Sequence, residues 1–95
     1  MSVLYSYRYD PKAAALYIRV VDQDQARDIA RQREYSENIV LDLTVRGTLV
    51  GIEVLDLSAD LTQVVREYDL NPELLATVDA IRKVAPHAHK ELSLV

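Results

Sequence analysis

The fold is decided by residues 38–58, which read NIVLDLTVRGTLVGIEVLDLS. Apolar residues recur at every second position in Ile39–Leu43 and again over residues 49–55, which is the period of a β-strand. Arg46 and Gly47 lie between the two stretches, and glycine readily adopts the positive φ that a tight turn requires. The stretch therefore predicts two neighbouring antiparallel strands.

Both faces of this predicted pair hold large apolar side chains. One face is expected to contain Ile39, Leu41, Leu43, Val50, Ile52 and Val54. The other face is expected to contain Val40, Asp42, Thr44, Leu49, Gly51, Glu53 and Leu55. A sheet that is apolar on both sides needs cover on both sides. We therefore expect helices to cover one face and a second copy of the chain to cover the other, which predicts a homodimer.

An N-terminal hairpin is predicted before this pair. Alternation over residues 3–9 predicts a first strand with every second side chain on one face. That face holds Tyr5, Tyr7 and Tyr9. Asp10 and Pro11 suit the first two positions of a type I turn. Alternation resumes over residues 15–20, which predicts the second strand of the hairpin.

Residues 22–38, between the hairpin and the central pair, are polar and fit two structures. As a helix they would bury only a thin apolar face of Ala26, Ile29 and Ala30. As a strand over residues 30–35 they would lie at an edge of the sheet, where their charges prevent unwanted pairing. The edge strand is the preferred interpretation.

The last third of the chain predicts two helices. Ser58 suits the N-cap of the first helix. Its apolar stripe is Leu61, Val64 and Val65. Asn71 and Pro72 suit the start of the second helix, and Pro86 is expected to end it. The buried stripe of this second helix is Leu74, Val78, Ile81 and Ala85.

Strands followed by helices define an α+β fold. We expect an antiparallel β-meander of four to five strands, with one or two C-terminal helices packing on one face. The chain of 95 residues is long enough for a single domain. Within it we expect a sheet over residues 1–57, a helical extension over 58–86 and a tail over 87–95.

Composition excludes several classes of protein. The chain has no cysteine, which rules out disulfides, thiolate metal sites and a cysteine nucleophile. Its net charge of −4 argues against a nucleic-acid-binding protein, because phosphates attract clustered cations. The opening MSVLYSYRYD does not resemble a signal peptide, and no apolar run approaches the roughly 20 residues that span a bilayer. We expect a cytoplasmic protein.

The residues with the clearest chemical potential are Asp42 and Glu53. Period two places them on the same face of neighbouring strands, where paired carboxylates can act as acid and base or bind a hard cation. The alternative, which we prefer, is a structural role in which each carboxylate pairs with an arginine such as Arg8, Arg19 or Arg31, or caps a loop. We predict no catalytic residues and no cofactor.

A protein interface is a further prediction for this sheet. Gly51, unusual inside a strand, indicates either the close approach of a ligand or a partner backbone, or a structural cause, which is a β-bulge or room for a tyrosine ring. We prefer the structural cause. Tyrosines are frequent at interfaces, and they could also stack on bases beside Arg27, Arg31 and Arg33. The candidate interface residues are Tyr5, Tyr7, Tyr9, Tyr17, Leu49, Gly51 and Leu55. His87, His89 and Glu91 form a weak metal-binding pattern, and we predict no metal site.

Two segments carry a resemblance to a known family. Residues 7–20, YRYDPKAAALYIRV, resemble the pattern Tyr-Asp-Pro-x-Ala-Asp-Ala-Leu-Tyr-Ile, with Ala14 where the pattern has its second aspartate. Residues 37–58 resemble a strand with an aspartate, a turn with glycine, then Leu-Val-Gly-Ile-Glu-Ile-Leu. Together they resemble domain of unknown function family 2283, which consists of small prokaryotic β-rich proteins.

The resemblance implies a β-rich domain without an established activity. Members are reported beside toxin-like small proteins, which implies an antitoxin-like or partner-binding role. The predicted function is therefore a homodimeric, non-catalytic protein-interaction module with a small toxin-like protein as partner. The alternative is a small carboxylate- or metal-dependent enzyme that uses Asp42 and Glu53.

Overall fold

The computed structural model describes residues 5–21 and 29–94, and for residues 86–94 it describes the backbone alone. The strands are β1 (Ser6–Asp10), β2 (Ala15–Arg19), β3 (Arg31–Ser36), β4 (Ile39–Leu43) and β5 (Leu49–Val54), and the helices are α1 (Thr62–Glu67) and α2 (Glu73–Leu94). The five strands form one antiparallel sheet. The predicted α+β class is confirmed, including the polar edge strand β3.

The strand order is β1-β2-β5-β4-β3, which corrects the expectation of a continuous meander. Strand β2 pairs with β5 and not with β3, the next strand in the chain. The reason lies in the polarity of the two strands. Five of the six residues of β3 are exposed, whereas five of the six residues of β5 are buried. The polar strand therefore lies at an edge and the apolar strand lies in the centre.

One face of the sheet is the core face. Cross-strand pairing aligns Tyr7, Ile18, Ile52, Leu41 and Arg33 in one row across all five strands. The three central residues of this row have no exposed surface. The same face holds the buried residues Leu16, Val54 and Ile39. The predicted face of Ile39, Leu41, Ile52 and Val54 is thus confirmed.

The opposite face is polar, which corrects the expectation of a sheet that is apolar on both sides. We call it the polar face; it consists of Ser6, Arg8, Asp10, Ala15, Tyr17, Arg19, Gln32, Glu34, Val40, Asp42, Gly51 and Glu53. A register shift after Asp42 places Leu49 opposite Leu43, a core-face residue, and Leu49 is buried. Such a shift interrupts the period of two on which the expectation rested. Leu55 lies beyond the end of β5 and is exposed.

Two turns set the hairpin registers. In the first, Asp10 Oδ1 accepts a hydrogen bond from the backbone N–H of Lys12 at 3.0 Å, which supports the predicted turn. Ala14 follows with a φ of +52°, a left-handed conformation in which aspartate is more frequent than alanine. The aspartate of the related motif at this position therefore suits the backbone. In the second turn Gly47 has the predicted positive φ, +85°.

The helices belong to a second compact unit, Asp60–Val95, and the sheet belongs to the first, Met1–Ala59. Asn71 caps α2 as predicted, since its Oδ1 accepts the Glu73 N–H at 3.0 Å. Ser58 does not cap α1, because the helix begins only at Thr62. The backbone N–H of Thr62 donates a hydrogen bond to Asp60 Oδ1 at 2.9 Å. Among the described residues, no helix is both long and apolar enough to cross a membrane.

Helix α2 does not end at Pro86, as predicted, but continues to Leu94. Proline removes one backbone hydrogen bond and crowds the preceding turn. The sequence that follows it contains the good helix formers Ala88, Lys90, Glu91 and Leu92, which favour continuation. The predicted stripe is largely confirmed, because Leu74, Val78 and Ala85 are buried, while Ile81 is half-buried.

Candidate functional site

The polar face is organised in two rows of cross-strand partners, each crossing the strands in the order β1-β2-β5-β4-β3. The first row is Arg8, Tyr17, Glu53, Val40 and Glu34. The second row is Ser6, Arg19, Gly51, Asp42 and Gln32. The predicted site residues on this face are therefore cross-strand neighbours: Tyr17 lies opposite Glu53, and Gly51 lies opposite Asp42.

Tyr17 lies over Gly51 and connects the two rows. A Cβ atom added at Gly51 would overlap the hydroxyl oxygen and the adjoining ring carbon of Tyr17. The hydroxyl donates a hydrogen bond to Asp42 Oδ2 at 3.0 Å. Gly51 therefore provides the space that lets the tyrosine ring reach β4, which agrees with the tyrosine-ring alternative for this glycine.

Asp42 is a buried carboxylate with two hydrogen-bond donors. Only 7% of the Asp42 surface is exposed. Oδ2 accepts the Tyr17 hydroxyl, and Oδ1 accepts the Gln32 side-chain amide at 3.0 Å. Among the described residues no buried side-chain polar atom lacks a partner. Both oxygens are therefore engaged by the protein itself, and the partners are a tyrosine and a glutamine where we expected an arginine.

The Tyr17 hydroxyl is held in its protonated form. Burial raises the pKa of Tyr17 to about 12, and the hydrogen bond to Asp42 and the negative charges of Asp42 and Glu53 act in the same direction, while Arg19 lowers it. A phenol with this pKa is neutral at physiological pH. Tyr17 therefore acts as a hydrogen-bond donor to Asp42 and not as a base.

Glu53 is the diagonal neighbour of Asp42, as the period of two predicted, because Val40 lies opposite Glu53 and Gly51 opposite Asp42. It is half-buried, and its carboxylate makes no hydrogen bond or ion pair with another described residue. The described side chains contain no cluster of three or more residues of the types that hold a metal. The side chains of His87, His89 and Glu91 lie outside this part of the chain.

An open depression lies beside this network, at the β1–β2 side of the sheet. It has a volume of about 1060 Å³. Its polar and charged lining residues include Arg8, Asp10, Tyr17, Arg19 and Glu53. Tyr7 and Tyr9 add aromatic surface to it, and the exposed Ile29 adds apolar surface. We call this site the β1–β2 depression; its mixture of arginine and tyrosine is typical of binding surfaces.

The predicted interface residues do not form one surface. Tyr7 and Tyr9 pair with Ile18 and Leu16 on the core face, whereas Tyr17 and Gly51 lie on the polar face. Tyr5 precedes β1 and is half-buried. Leu49 is buried and Leu55 is exposed beyond the strand. An interface role for these residues stays a prediction.

The tyrosines and arginines of the nucleic-acid alternative are also separated. Tyr7 and Tyr9 lie on β1 and Arg31 and Arg33 on β3, and these strands form the two opposite edges of the sheet. The Arg33 guanidinium instead stacks on its neighbour Tyr35, 5.2 Å from the ring centre. Arg27 lies outside the described residues.

Gln32 is the site residue that the sequence did not indicate. It lies in a polar edge strand among charged residues, and nothing in its local pattern distinguishes it. Only the pairing of Gln32 with Asp42 gives it a role. A buried aspartate on the neighbouring strand is the signal that could have led to it.

Replacing Tyr17 with phenylalanine is expected to lower the free energy of unfolding by about 1 to 2 kcal/mol, because a buried carboxylate loses a donor. The loss should also depend on pH. In the unfolded chain Tyr17 ionises near pH 10.0, whereas the folded protein holds the proton to about pH 12. Ionisation in this window favours the unfolded state, so the stabilisation is complete below pH 10.0 and disappears as the pH rises to about 12.

Urea denaturation at a series of alkaline pH values measures this effect. The difference in stability between the wild type and Tyr17→Phe should shrink over that window. Tyr9→Phe is the matched control, because Tyr9 is half-buried like Tyr17 but lies on the core face, opposite the face of Asp42. Equal losses in the two variants at neutral pH would contradict a specific role for the Tyr17–Asp42 hydrogen bond.

The fold and the site define a class of small α+β proteins with one apolar and one polar sheet face. On the polar face a tyrosine ring lies over a glycine and donates a hydrogen bond to an aspartate. The family model described as "Protein of unknown function (DUF2283)" matches residues 6–58, which is more than half of the chain. The chain belongs to this family, and the suspected resemblance is confirmed. The hydrogen-bonded residues Tyr17, Gln32 and Asp42 all lie within the match. No curated protein and no solved structure matches the chain.

Proposed function

We propose that this protein is a non-catalytic protein-interaction module that works in the cytoplasm as a homodimer. The observation that supports it best is the environment of Asp42. Its two oxygens accept hydrogen bonds from Tyr17 and Gln32 of the same chain. A general base or a metal ligand must be reachable by its substrate or ion, and Asp42 is only 7% exposed. The accessible groups of the polar face include Arg8, Arg19 and Tyr17, and both residue types are frequent in protein interfaces.

A small toxin-like protein is the second partner that we propose, which would give the chain an antitoxin-like role. The family resemblance is the source of this proposal, and the β1–β2 depression is the surface that suits it. Its arginines, Arg8 and Arg19, could receive carboxylates of the partner, while Tyr17 on the same face offers aromatic contact area. Copurification of one stable small protein with the tagged chain from the native host would support this role.

Light scattering at several micromolar concentrations tests the homodimer. The expected result is a mass of twice the chain, with the dimer fraction increasing with concentration. A chain that stays monomeric across the range contradicts the homodimer. This measurement needs no knowledge of a ligand or a partner.

The enzyme alternative with Asp42 and Glu53 has its own test. If the two carboxylates held a catalytic metal ion, the wild type should bind a divalent cation, and Asp42→Asn and Glu53→Gln should each weaken this binding. Calorimetry with magnesium and with manganese provides the measurement. Unchanged heats in both variants, or no binding by the wild type, would support the non-catalytic function.

A further inference from the structure

The charges of the polar face are separated into two halves. Arg8 and Arg19 lie on β1 and β2. Glu53, Asp42 and Glu34 lie on β5, β4 and β3. The exception is Asp10 on β1, whose Oδ1 accepts backbone N–H groups of its own turn. Crossing the sheet from one edge to the other, the face therefore changes from basic to acidic.

This separation makes the face complementary to itself. A two-fold axis parallel to the strands would place β1 and β2 of one copy over β3 and β4 of the other. Arg8 would then face Glu34 of the other copy, and Arg19 would face Asp42 of the other copy. Glu53, on the central strand β5, would face Glu53 of the other copy, so this is the one like-charged pair in the contact. A two-fold axis in the same plane but perpendicular to the strands would place like charges together. Charge complementarity therefore selects one orientation.

We propose that two copies of the chain associate through their polar faces, with the basic half of each copy on the acidic half of the other. This contact rests on the homodimer proposed above and assigns its surface. The side chains are accessible for it, because Arg8, Gln32 and Glu34 are exposed and Arg19 and Glu53 are half-buried. Tyr17 and Val40, on either side of Glu53 in the first row, supply aromatic and apolar contact.

The size of the face predicts a weak dimer. Strands lie about 4.8 Å apart and rise about 3.3 Å per residue, so five strands of five residues cover on the order of 400 Å² of flat area. Stable interfaces bury about 800 Å² of accessible surface on each partner. The association should therefore depend on charge and weaken as salt is added.

A complementary pair of charge reversals tests the contact. The basic-half variant is Arg8→Glu with Arg19→Glu, and the acidic-half variant is Glu34→Arg with Glu53→Arg. Each variant alone should show a dimer dissociation constant raised roughly hundredfold or more, because like charges now face each other. An equimolar mixture of the two should form a heterodimer, since both pairs of positions 8 and 34 are then opposite in charge, and so is the pair formed by position 53 of the two copies.

The matched control is Lys12→Glu with Arg46→Glu. It changes the net charge as much as the basic-half variant does, at two exposed turn residues outside the polar face. The control should dimerise like the wild type. Light scattering of each sample and of the mixture provides the readout, with circular dichroism to confirm folding.

The outcomes separate this contact from the homodimer itself. If both charge-reversed variants dimerise like the wild type, or if the mixture does not associate, the contact is wrong while the homodimer stands, and a second surface such as the edge of β1 holds the copies together. If the wild type is monomeric, both proposals fail. Should a reversal prevent folding, Arg8→Gln with Glu34→Gln changes only exposed side chains, and an unaltered dimer in that variant would overturn the contact.

Discussion

Replacing Gly51 with alanine is expected to lower the free energy of unfolding by about 2 to 4 kcal/mol, through overpacking and a lost hydrogen bond. The new methyl group would occupy the position of the Tyr17 hydroxyl and ring. The ring must then move away from the sheet, which breaks its hydrogen bond to Asp42 and leaves a buried carboxylate oxygen without its donor. Urea denaturation of the wild type and the variant measures the loss.

The same substitution in a Tyr17→Ala background isolates the cause. Without the ring the methyl group meets no obstacle from it, so Gly51→Ala should change stability by less than about 1 kcal/mol, and glycine-to-alanine changes inside strands can even stabilise. The double-mutant cycle should therefore give a large coupling energy between the two positions. An equal loss in both backgrounds would mean that the tyrosine ring is not the reason for the glycine.

Replacing Leu41 with alanine is expected to lower the free energy of unfolding by about 2 to 5 kcal/mol. Leu41 has no exposed surface and lies between Arg33 and Ile52 on the core face. Removing most of its side chain leaves a cavity that neighbouring residues fill only in part. Thermal and urea denaturation both report the change.

Val40→Ala is the matched control for this prediction. Val40 is the neighbour of Leu41 in the chain, but it lies on the polar face and is half-buried. Its truncation should lower stability by less than about 1.5 kcal/mol, because little apolar surface returns to water. A larger loss at Val40 than at Leu41 would mean that β4 is shifted by one residue, since such a shift exchanges the two faces.

Local patterns were sufficient to predict the elements. Strands β4 and β5 follow from alternating apolar residues, the β1–β2 turn follows from Asp10 and Pro11, and the start of α2 follows from Asn71. The diagonal placement of Asp42 and Glu53 also follows from the period of two. Predictions failed at ends and irregular positions, such as the cap at Ser58, the helix end at Pro86 and the shifted register at Leu49. These positions depend on local details that an average preference does not include: a competing side-chain cap, the residues after Pro86 and a register shift.

The amino-acid sequence by itself determined the α+β class, the family and the polar edge strand, because each depends on residues that are close together in the chain. Only the tertiary structure decided that β2 pairs with β5, and the contacts of Tyr17 with Gly51 and Asp42 depend on this pairing. It brings Tyr17 over Gly51 and next to Asp42, 25 positions further along the chain. It also arranges the charges of five strands into a basic and an acidic half. Contacts between distant segments depend on which strands pair and in which register, and the local period of a strand contains no information about its neighbour.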